Sequence, residues 1–346
     1  MSDLPPLPSE KLLLDQLDEL IRTSPTAALV MSPGRGQIAN ALADRIADGN
    51  VVSWFVDSHR AELANEIADD AVQVVCQPDL PDEVIDLAVL PVLKNGEAEM
   101  NRDLIHQAWK RLKVGGELWA AVNAAQDAWL LSQLQALGPK VRCHDQPGGR
   151  VYGVRKTSDR FKQKTFDAEF THRVDERVIS VHSRPSVFSH RSVDRAAAVM
   201  IRNVAVPKGS VVLELGCGNG AVAMAAALRS ETGHAYAVDC NTRAVQCVQR
   251  AAEQNGINNL TAIVNHDGRL PDLPPCDLVL LNPPYYGDFQ IAEHFLVAAG
   301  IYLRPGGEAY VVTKQTQRYL EYDWSPLNLI DRTSAQSYDL LKFKKA

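Results

Sequence analysis

Several signatures that would betray a chemistry at once are missing from this chain of 346 residues. No run of eighteen apolar residues occurs, so no membrane-spanning helix is expected. The acidic, Pro-rich start MSDLPPLPSEK lacks the positive and apolar regions of a signal peptide, which points to a cytoplasmic protein. Six cysteines (Cys76, Cys143, Cys217, Cys240, Cys247 and Cys276) form no CxxC pair and lie in apolar sequence. They read as free buried thiols rather than disulfides or a zinc site. There is no HExxH, no EF-hand loop and no Cys/His cluster, so no metal is called for. Nor is there a GxSxG or a GxxxxGK[ST] sequence to suggest an esterase or an NTP hydrolase. A net charge of −6 argues against indiscriminate nucleic-acid binding.

That average hides a charge asymmetry. Residues 150–208 hold 13 Lys/Arg against 6 Asp/Glu, whereas residues 1–149 hold 12 against 22. The basic stretch is where a phosphate backbone would dock, with Arg173 and Arg177 as candidate contacts, the alternative being a solvated linker. The length itself exceeds what one core usually supports, so two domains are expected. An internal repeat agrees. Gly34, Gly36 and Asp57 precede Gly216, Gly218 and Asp239 by 182 positions, and Asp86 and Gly115–Gly116 precede Asp277 and Gly306–Gly307 by 191. Each half reads as strand, Gly-rich turn, helix, strand, helix and further strands, closing on an antiparallel pair: KVRCHD with RVYGVRK, and NLIDRT with YDLLKFKK. The strands lack clean apolar/polar alternation, as expected where helices cover both faces of a parallel sheet. The expectation is an α/β chain of two tandem doubly wound, Rossmann-like domains, each a mainly parallel sheet with an antiparallel edge pair. Their bounds are 1–157 and 207–346, with 158–206 as the basic connector.

The second half carries the chemistry. In VVLELGCGNG, Gly216, Gly218 and Gly220 let the chain turn tightly and bring N–H groups and a helix N-terminus up to a ligand. A dinucleotide site also uses such a turn, but Glu214 ahead of the glycines suits a cofactor amino group and gives a pyrophosphate nothing. Asp239, 21 residues after Gly218, ends the second strand, where a carboxylate accepts ribose hydroxyls. Asp267 follows the third strand and is placed to accept an adenine amine. Three acids at successive strand ends point to a nucleoside-containing cofactor with matching donors. His266 reads as a packing residue rather than a base.

Asn282-Pro283-Pro284-Tyr285 follows the fourth strand. A conjugated amine is a poor nucleophile because its lone pair is delocalised. The Asn282 side-chain carbonyl and the Pro283 backbone carbonyl can grip its two hydrogens and aim that lone pair at a sulfonium methyl, with the prolines restricting where the carbonyls point. Tyr285 can stack on the acceptor ring; Tyr286 extends that wall or covers the strand end. The expected cofactor is therefore S-adenosylmethionine, and positioning rather than a general base carries the rate. In the first half, by these offsets, Ser32, Ile38, Cys76 and Pro91 stand at the places of Glu214, Gly220, Asp267 and Asn282, so it reads as a degenerate, structural or substrate-orienting copy.

With the connector motif PSVFSHRSVD (185–194) added, the chain resembles the small-subunit (16S) ribosomal RNA guanine-N2 methyltransferase family and its large-subunit relatives over nearly its whole length. Val187, Phe188, Ser189 and Asp194 match that family's connector, while Ser186 stands where Gly is usual. The resemblance implies that this segment closes over the methionine end of the cofactor, with Phe188 beside it. It also implies a guanine N2 acceptor in ribosomal RNA, small-subunit before large-subunit, free or within a ribosomal particle, and a monomeric enzyme. Tyr285, where the family often has Phe, leaves room for adenine-N6 or for release-factor glutamine methylation, though the glutamine enzymes carry a small helical N-terminal domain. A non-enzyme alternative is an RNA-binding ribosome assembly factor that kept the fold.

Overall fold

The structure is a computed structural model that describes residues 5–46 and 49–346; the first four residues of the acidic start lie outside them. Two compact units divide after Phe166. The first runs α1 Pro8–Leu14, α2 Leu17–Leu20, β1 Ala27–Val30, α3 Gln37–Ala43, β2 Asn50–Phe55, α4 Ser58–Asn65 and β3 Val72–Cys76. It continues with β4 Ile85–Val92, α5 Ala98–Arg111, β5 Leu112–Val122, α6 Trp129–Gln135, β6 Val141–Gln146 and β7 Gly149–Arg155. The second opens with a hairpin, β8 Ala168–Val174 and β9 Arg177–Ser183, then α7 Arg195–Asn203, β10 Val211–Leu215, α8 Ala221–Ser230, β11 His234–Asp239 and α9 Thr242–Asn255. It ends with β12 Leu260–Val264, β13 Cys276–Leu281, α10 Gln290–Tyr302, β14 Leu303–Thr313, α11 Thr316–Leu320, β15 Leu327–Ala335 and β16 Tyr338–Lys345.

The two sheets have the same strand order, β3-β2-β1-β4-β5-β7-β6 and β12-β11-β10-β13-β14-β16-β15. Five strands of each are parallel, and the last two form the antiparallel edge. In the second unit, alternate residues of one strand feed opposite cores. Val212, Leu278 and Leu280 pack with Met224 of α8 and Val199 of α7, while Leu213, Val279 and Leu281 pack with Leu296 of α10 and Phe343 of β16. Each such side chain contributes roughly 1.5–3 kcal/mol on burial, which is why the strands read as continuous apolar runs. The hairpin of the basic segment is no solvated linker: Val174, Ile179 and Val181 are buried in the core shared with α8 and α9. Among the described residues no helix is long and apolar enough to cross a membrane. All six cysteines are unpaired, but only Cys217, Cys247 and Cys276 are buried; Cys76 and Cys143 are exposed because each sits on an outer strand of its sheet.

The two copies correspond, though not by the offset of 182. β1 pairs with β2 as Ala27 with Asn50, and β10 with β11 as Val211 with His234, an offset of 184. On that register Gly36 answers Gly220, both left-handed residues that start a helix, at φ 71° and 77°. Asp57 answers Asn241, and each caps the next helix through its side chain. Asp57 is therefore a capping residue, and the buried Phe55 stands where Asp239 does. The later offset of 191 holds, for a structural reason. Asp86 accepts the N–H groups of Thr26 and Ala27 and pairs with Lys113, just as Asp277 accepts that of Val211 and pairs with Arg304. Burial opposes the charge of Asp86, yet Lys113 and those N–H groups hold its carboxyl down at about 2.

α1 lies against β4, β5, β7 and α3, the place that α7 has against β14, β16 and α8. In the first unit this helix fills the space over the glycine turn. A Cβ on Gly34 would come within 2.9 Å of Leu7, and the buried Glu10 accepts the N–H of Ile38 at the start of α3, 3.0 Å away. The first turn of α7 carries Ala196, Ala197 and Ala198 instead.

Candidate active site

Because β10, β11, β12 and β13 are parallel, their carboxyl ends share one edge, and Glu214, the glycine turn, Asp239, Asp267 and Asn282 lie at or just beyond those ends. Gly216, Gly218 and Gly220 all have positive φ. The need for glycine is sharpest at Gly220, where a Cβ would lie 2.5 Å from Val248. The turn is held from below by the N–H groups of Gly216 and Cys217 bonding to the Val238 carbonyl. Asp239 adds a side-chain tie, accepting the N–H of Gly218 through one oxygen and that of Asn241 through the other, both at 2.9 Å.

Residues 185–194 are stitched across this turn. Asn219 donates to the carbonyls of Ser189 and Ser192 at 3.3 and 3.2 Å. Asn241 donates to the Ser186 carbonyl and hydroxyl at 2.9 and 3.1 Å, and the fully buried Arg243 donates to Pro185 at 3.0 Å. Ser186 stands at φ 82°, a conformation that explains why Gly is usual here; its hydroxyl recovers part of the strain through Asn241. The Cβ and carbonyl of Phe188 are thereby brought to 3.7 Å from a Cβ on Gly218, and the residue is 65% exposed.

The acids differ in environment. Glu214 is buried, and its Oε2 has no hydrogen-bond partner among the described residues. Burial pushes its carboxyl well up, against a bond from the Ala223 N–H, and nearby Asp239 pushes it further. An orphaned buried carboxyl oxygen beside a glycine cradle fits a ligand that brings a cationic or N–H donor. Asp267 is exposed and local: its Oδ1 accepts from the Arg269 N–H and Asn265 Nδ2, and those bonds hold its carboxyl below the usual range.

At the end of β13, Asn282 and Pro284 are half-buried, Pro283 is buried and Tyr285 is half-exposed. Asn282 Nδ2 donates to Asp194 Oδ2 at 3.1 Å, and the same oxygen accepts the Ala196 and Ala197 N–H groups as the N-cap of α7. A carboxylate only accepts, so the amide must turn its NH2 toward Asp194 and present its carbonyl outward. Tyr285 is fixed by the Lys314 N–H, which donates to its hydroxyl at 3.1 Å, and Tyr286 is 74% exposed. Asp194 was legible only as a motif match and Asn241 only as a helix start; Asn219 and Arg243, which also hold the connector down, had no signature of their own.

Arg173 and Arg177 are not brought to this edge. They flank a hairpin turn whose Asp175 pairs with Arg229 in the last turn of α8, at 2.8 Å. That is the far end of a ten-residue helix from Gly220, about 15 Å at 1.5 Å per residue.

The model of the methyltransferase small domain family matches residues 178–331. The chain is 25% identical over 296 residues to ribosomal RNA small subunit methyltransferase C of Pseudomonas putida (strain GB-1), covering 82% of this chain and 85% of that one. Its fold matches that of the T. thermophilus 16S rRNA N2 G1207 methyltransferase, solved in complex with AdoMet and guanosine, with a TM-score of 0.80 at 21% identity, over 97% of this chain and 92% of that one. Over most of its length the chain is similar to 16S ribosomal RNA guanine-N2 methyltransferases. A large-subunit enzyme is also similar: ribosomal RNA large subunit methyltransferase G of Shewanella amazonensis is 32% identical over 146 residues, 40% of this chain and 38% of that one. The chain is a methyltransferase with two tandem Rossmann-like domains.

Proposed function

We propose that the second unit transfers a methyl group from S-adenosylmethionine to the exocyclic N2 amine of a guanine in small-subunit ribosomal RNA, in the cytoplasm and as a monomer. The observation that carries this reading is the orientation of Asn282, whose amide Asp194 turns so that a carbonyl faces outward at the strand end beside the glycine cradle. Glu214 would hold the amino end of the cofactor, Asp239 its ribose and Asp267 its adenine, with Phe188 over the methionine portion. The cofactor supplies an electrophilic methyl on a sulfonium and leaves as a neutral thioether. Asn282 Oδ1 and the Pro283 carbonyl take the two hydrogens of the amine, and their hold strengthens as positive charge develops on nitrogen. Tyr285 stacks on the base, worth about 1–3 kcal/mol. The amine then sheds one proton to water, so no dedicated base is needed. A base-paired guanine has to leave its helix to reach this edge.

The first unit keeps the fold without the site. Val30, Ser32 and Phe55 stand for Glu214, Gly216 and Asp239, and Leu7 and Glu10 cover its glycine turn. It is a structural or substrate-orienting domain. Arg173 and Arg177 would contact RNA remote from the acceptor. The similarity to a large-subunit enzyme supports a second reading, a large-subunit guanine. Mass mapping of N2-methylguanosine in both ribosomal RNAs from deletion and complemented cells separates the two. A complete set of N2-methylguanosines in the deletion strain would refute both.

A further inference from the structure

We propose that Asp194 reads the acceptor base, its second carboxylate oxygen taking the N1 hydrogen of guanine while Asn282 holds the neighbouring amine. This rests on the guanine reading above and adds to it a residue that selects the base. Three donors converge on Oδ2 of Asp194: the Ala196 N–H at 2.9 Å, the Ala197 N–H at 3.1 Å and Asn282 Nδ2 at 3.1 Å. Oδ1 accepts no bond among the described residues, although an ionised carboxylate has room on both oxygens. The group is half-buried and pinned by the helix start, so Oδ1 is a fixed acceptor at the border of the acceptor clamp.

Its neighbours place it beside the base. It touches Asn282 directly, and it is near enough to Tyr285 that, after burial, its charge helps push the phenol up, against the bond from the Lys314 N–H. An acceptor at this border discriminates by elementary base chemistry. Guanine carries a hydrogen on the ring nitrogen next to its amine. Adenine and cytosine have a bare, accepting nitrogen there, which a carboxylate repels. Tyr285 by itself leaves adenine open, since every base has a face to stack. Asp194 supplies the missing distinction.

The test uses the full chain saturated with S-adenosylhomocysteine, with guanosine and 2,6-diaminopurine riboside as probes. The second nucleoside keeps the 2-amino group and has a bare N1. In Asp194→Asn the three converging donors force the amide oxygen into the place of Oδ2, so its NH2 lands where Oδ1 was. Asn caps a helix as well as Asp does, and the fold is preserved. The wild-type protein should bind guanosine about tenfold or more tightly than the diaminopurine riboside, and Asp194→Asn should reverse the order, since a polar group made to match one partner rejects the other strongly. A guanosine preference that survives the substitution, or a wild-type protein that binds both alike, overturns the proposal. Should Asp194→Asn fail to fold, Asp194→Ser keeps a capping oxygen without the second acceptor and must bring the two nucleosides within about threefold of each other; a retained preference overturns the proposal equally. Labelled transfer by the wild-type protein to small-subunit ribosomal RNA is followed alongside. Label absent from N2-methylguanosine refutes the guanine reading itself, whereas label present with an unchanged nucleoside ratio refutes only the role of Asp194.

Discussion

Replacing Asn282 by Asp gives the sharpest test of the acceptor clamp, because the change is isosteric and its cost is set by one distance in the structure. The NH2 that now faces Asp194 would become a carboxylate oxygen 3.1 Å from Oδ2, where an effective dielectric of about 20 gives a repulsion of about 5 kcal/mol. Both side chains are half-buried, so solvent and salt reduce this to roughly 2–3 kcal/mol, or about 10²-fold in turnover at pH 8. The pair escapes by sharing one proton, as two adjacent carboxyls do. That proton restores the donor lost with the amide, so activity of Asn282→Asp should rise as pH falls through the pair's upper titration and decline as pH rises. The double variant Asn282→Asp, Asp194→Asn removes one of the two facing charges, its amide oxygen staying on the Ala196 and Ala197 N–H groups, and should recover part of the transfer at pH 8, read on a substrate whose amine lacks an adjacent ring N–H. Asn282→Ala, with no carbonyl to offer, should lose about 10²–10³-fold at every pH, the cost typical of removing one transition-state hydrogen bond. Turnover and its pH profile are read by labelled methyl transfer. A flat profile for Asn282→Asp, or a double variant no better than the single one, would refute the geometry on which the clamp rests.

Gly220→Ala and Gly36→Ala impose the same local insult on the two copies, a left-handed residue with a Cβ driven to 2.5 Å from a neighbour. Each should cost about 2–4 kcal/mol of stability by denaturant unfolding, but only Gly220→Ala should weaken S-adenosylmethionine binding in titration calorimetry. Glu214 has its folded carboxyl raised by burial, so the stability it lends is present below its unfolded value and drains away as pH rises through the folded one. Cofactor binding to the ionised form should therefore tighten with rising pH, and Glu214→Gln should abolish that slope, weaken binding about 10–100-fold and stabilise the ligand-free protein at pH 8. Ser186→Gly trades relief of a strained φ for a lost bond from Asn241 and should leave the melting temperature nearly unchanged, whereas Ser186→Val should lower it clearly. Reversing Arg173 and Arg177 to Glu should weaken RNA retention in a filter assay and reduce its salt dependence, with cofactor affinity unaltered; a parallel loss of cofactor binding would count against an RNA role.

The architecture was readable because helix caps, glycine turns and apolar runs are local signals: Asn241 and Gly256 bound α9 in the structure as their residue types suggest. The NPPY and ExGxGxG motifs were readable for the same reason. What the chain did not disclose depends on contacts between distant positions. Asp194 and Asn282 are 88 residues apart, and nothing along the sequence joins them. The match of Asp57 to Asp239 was a coincidence of spacing; a carboxylate caps helices as readily as it binds a ribose, and only strand register tells the two apart. Likewise, charge counting located the basic segment but not its direction, since β8 and β9 turn Arg173 and Arg177 away from the strand ends.

The N-terminal helix gives the first glycine turn a permanent tenant. Leu7 and Glu10 contribute to the packing of that half, so placing Glu, Gly and Asp at positions 30, 32 and 55 would not by itself create a site. Any attempt to build a ligand site there has first to evict the start of that helix, and the eviction unpicks the packing around it. On the proposed reading, bulk as well as missing site residues keeps a ligand from this turn.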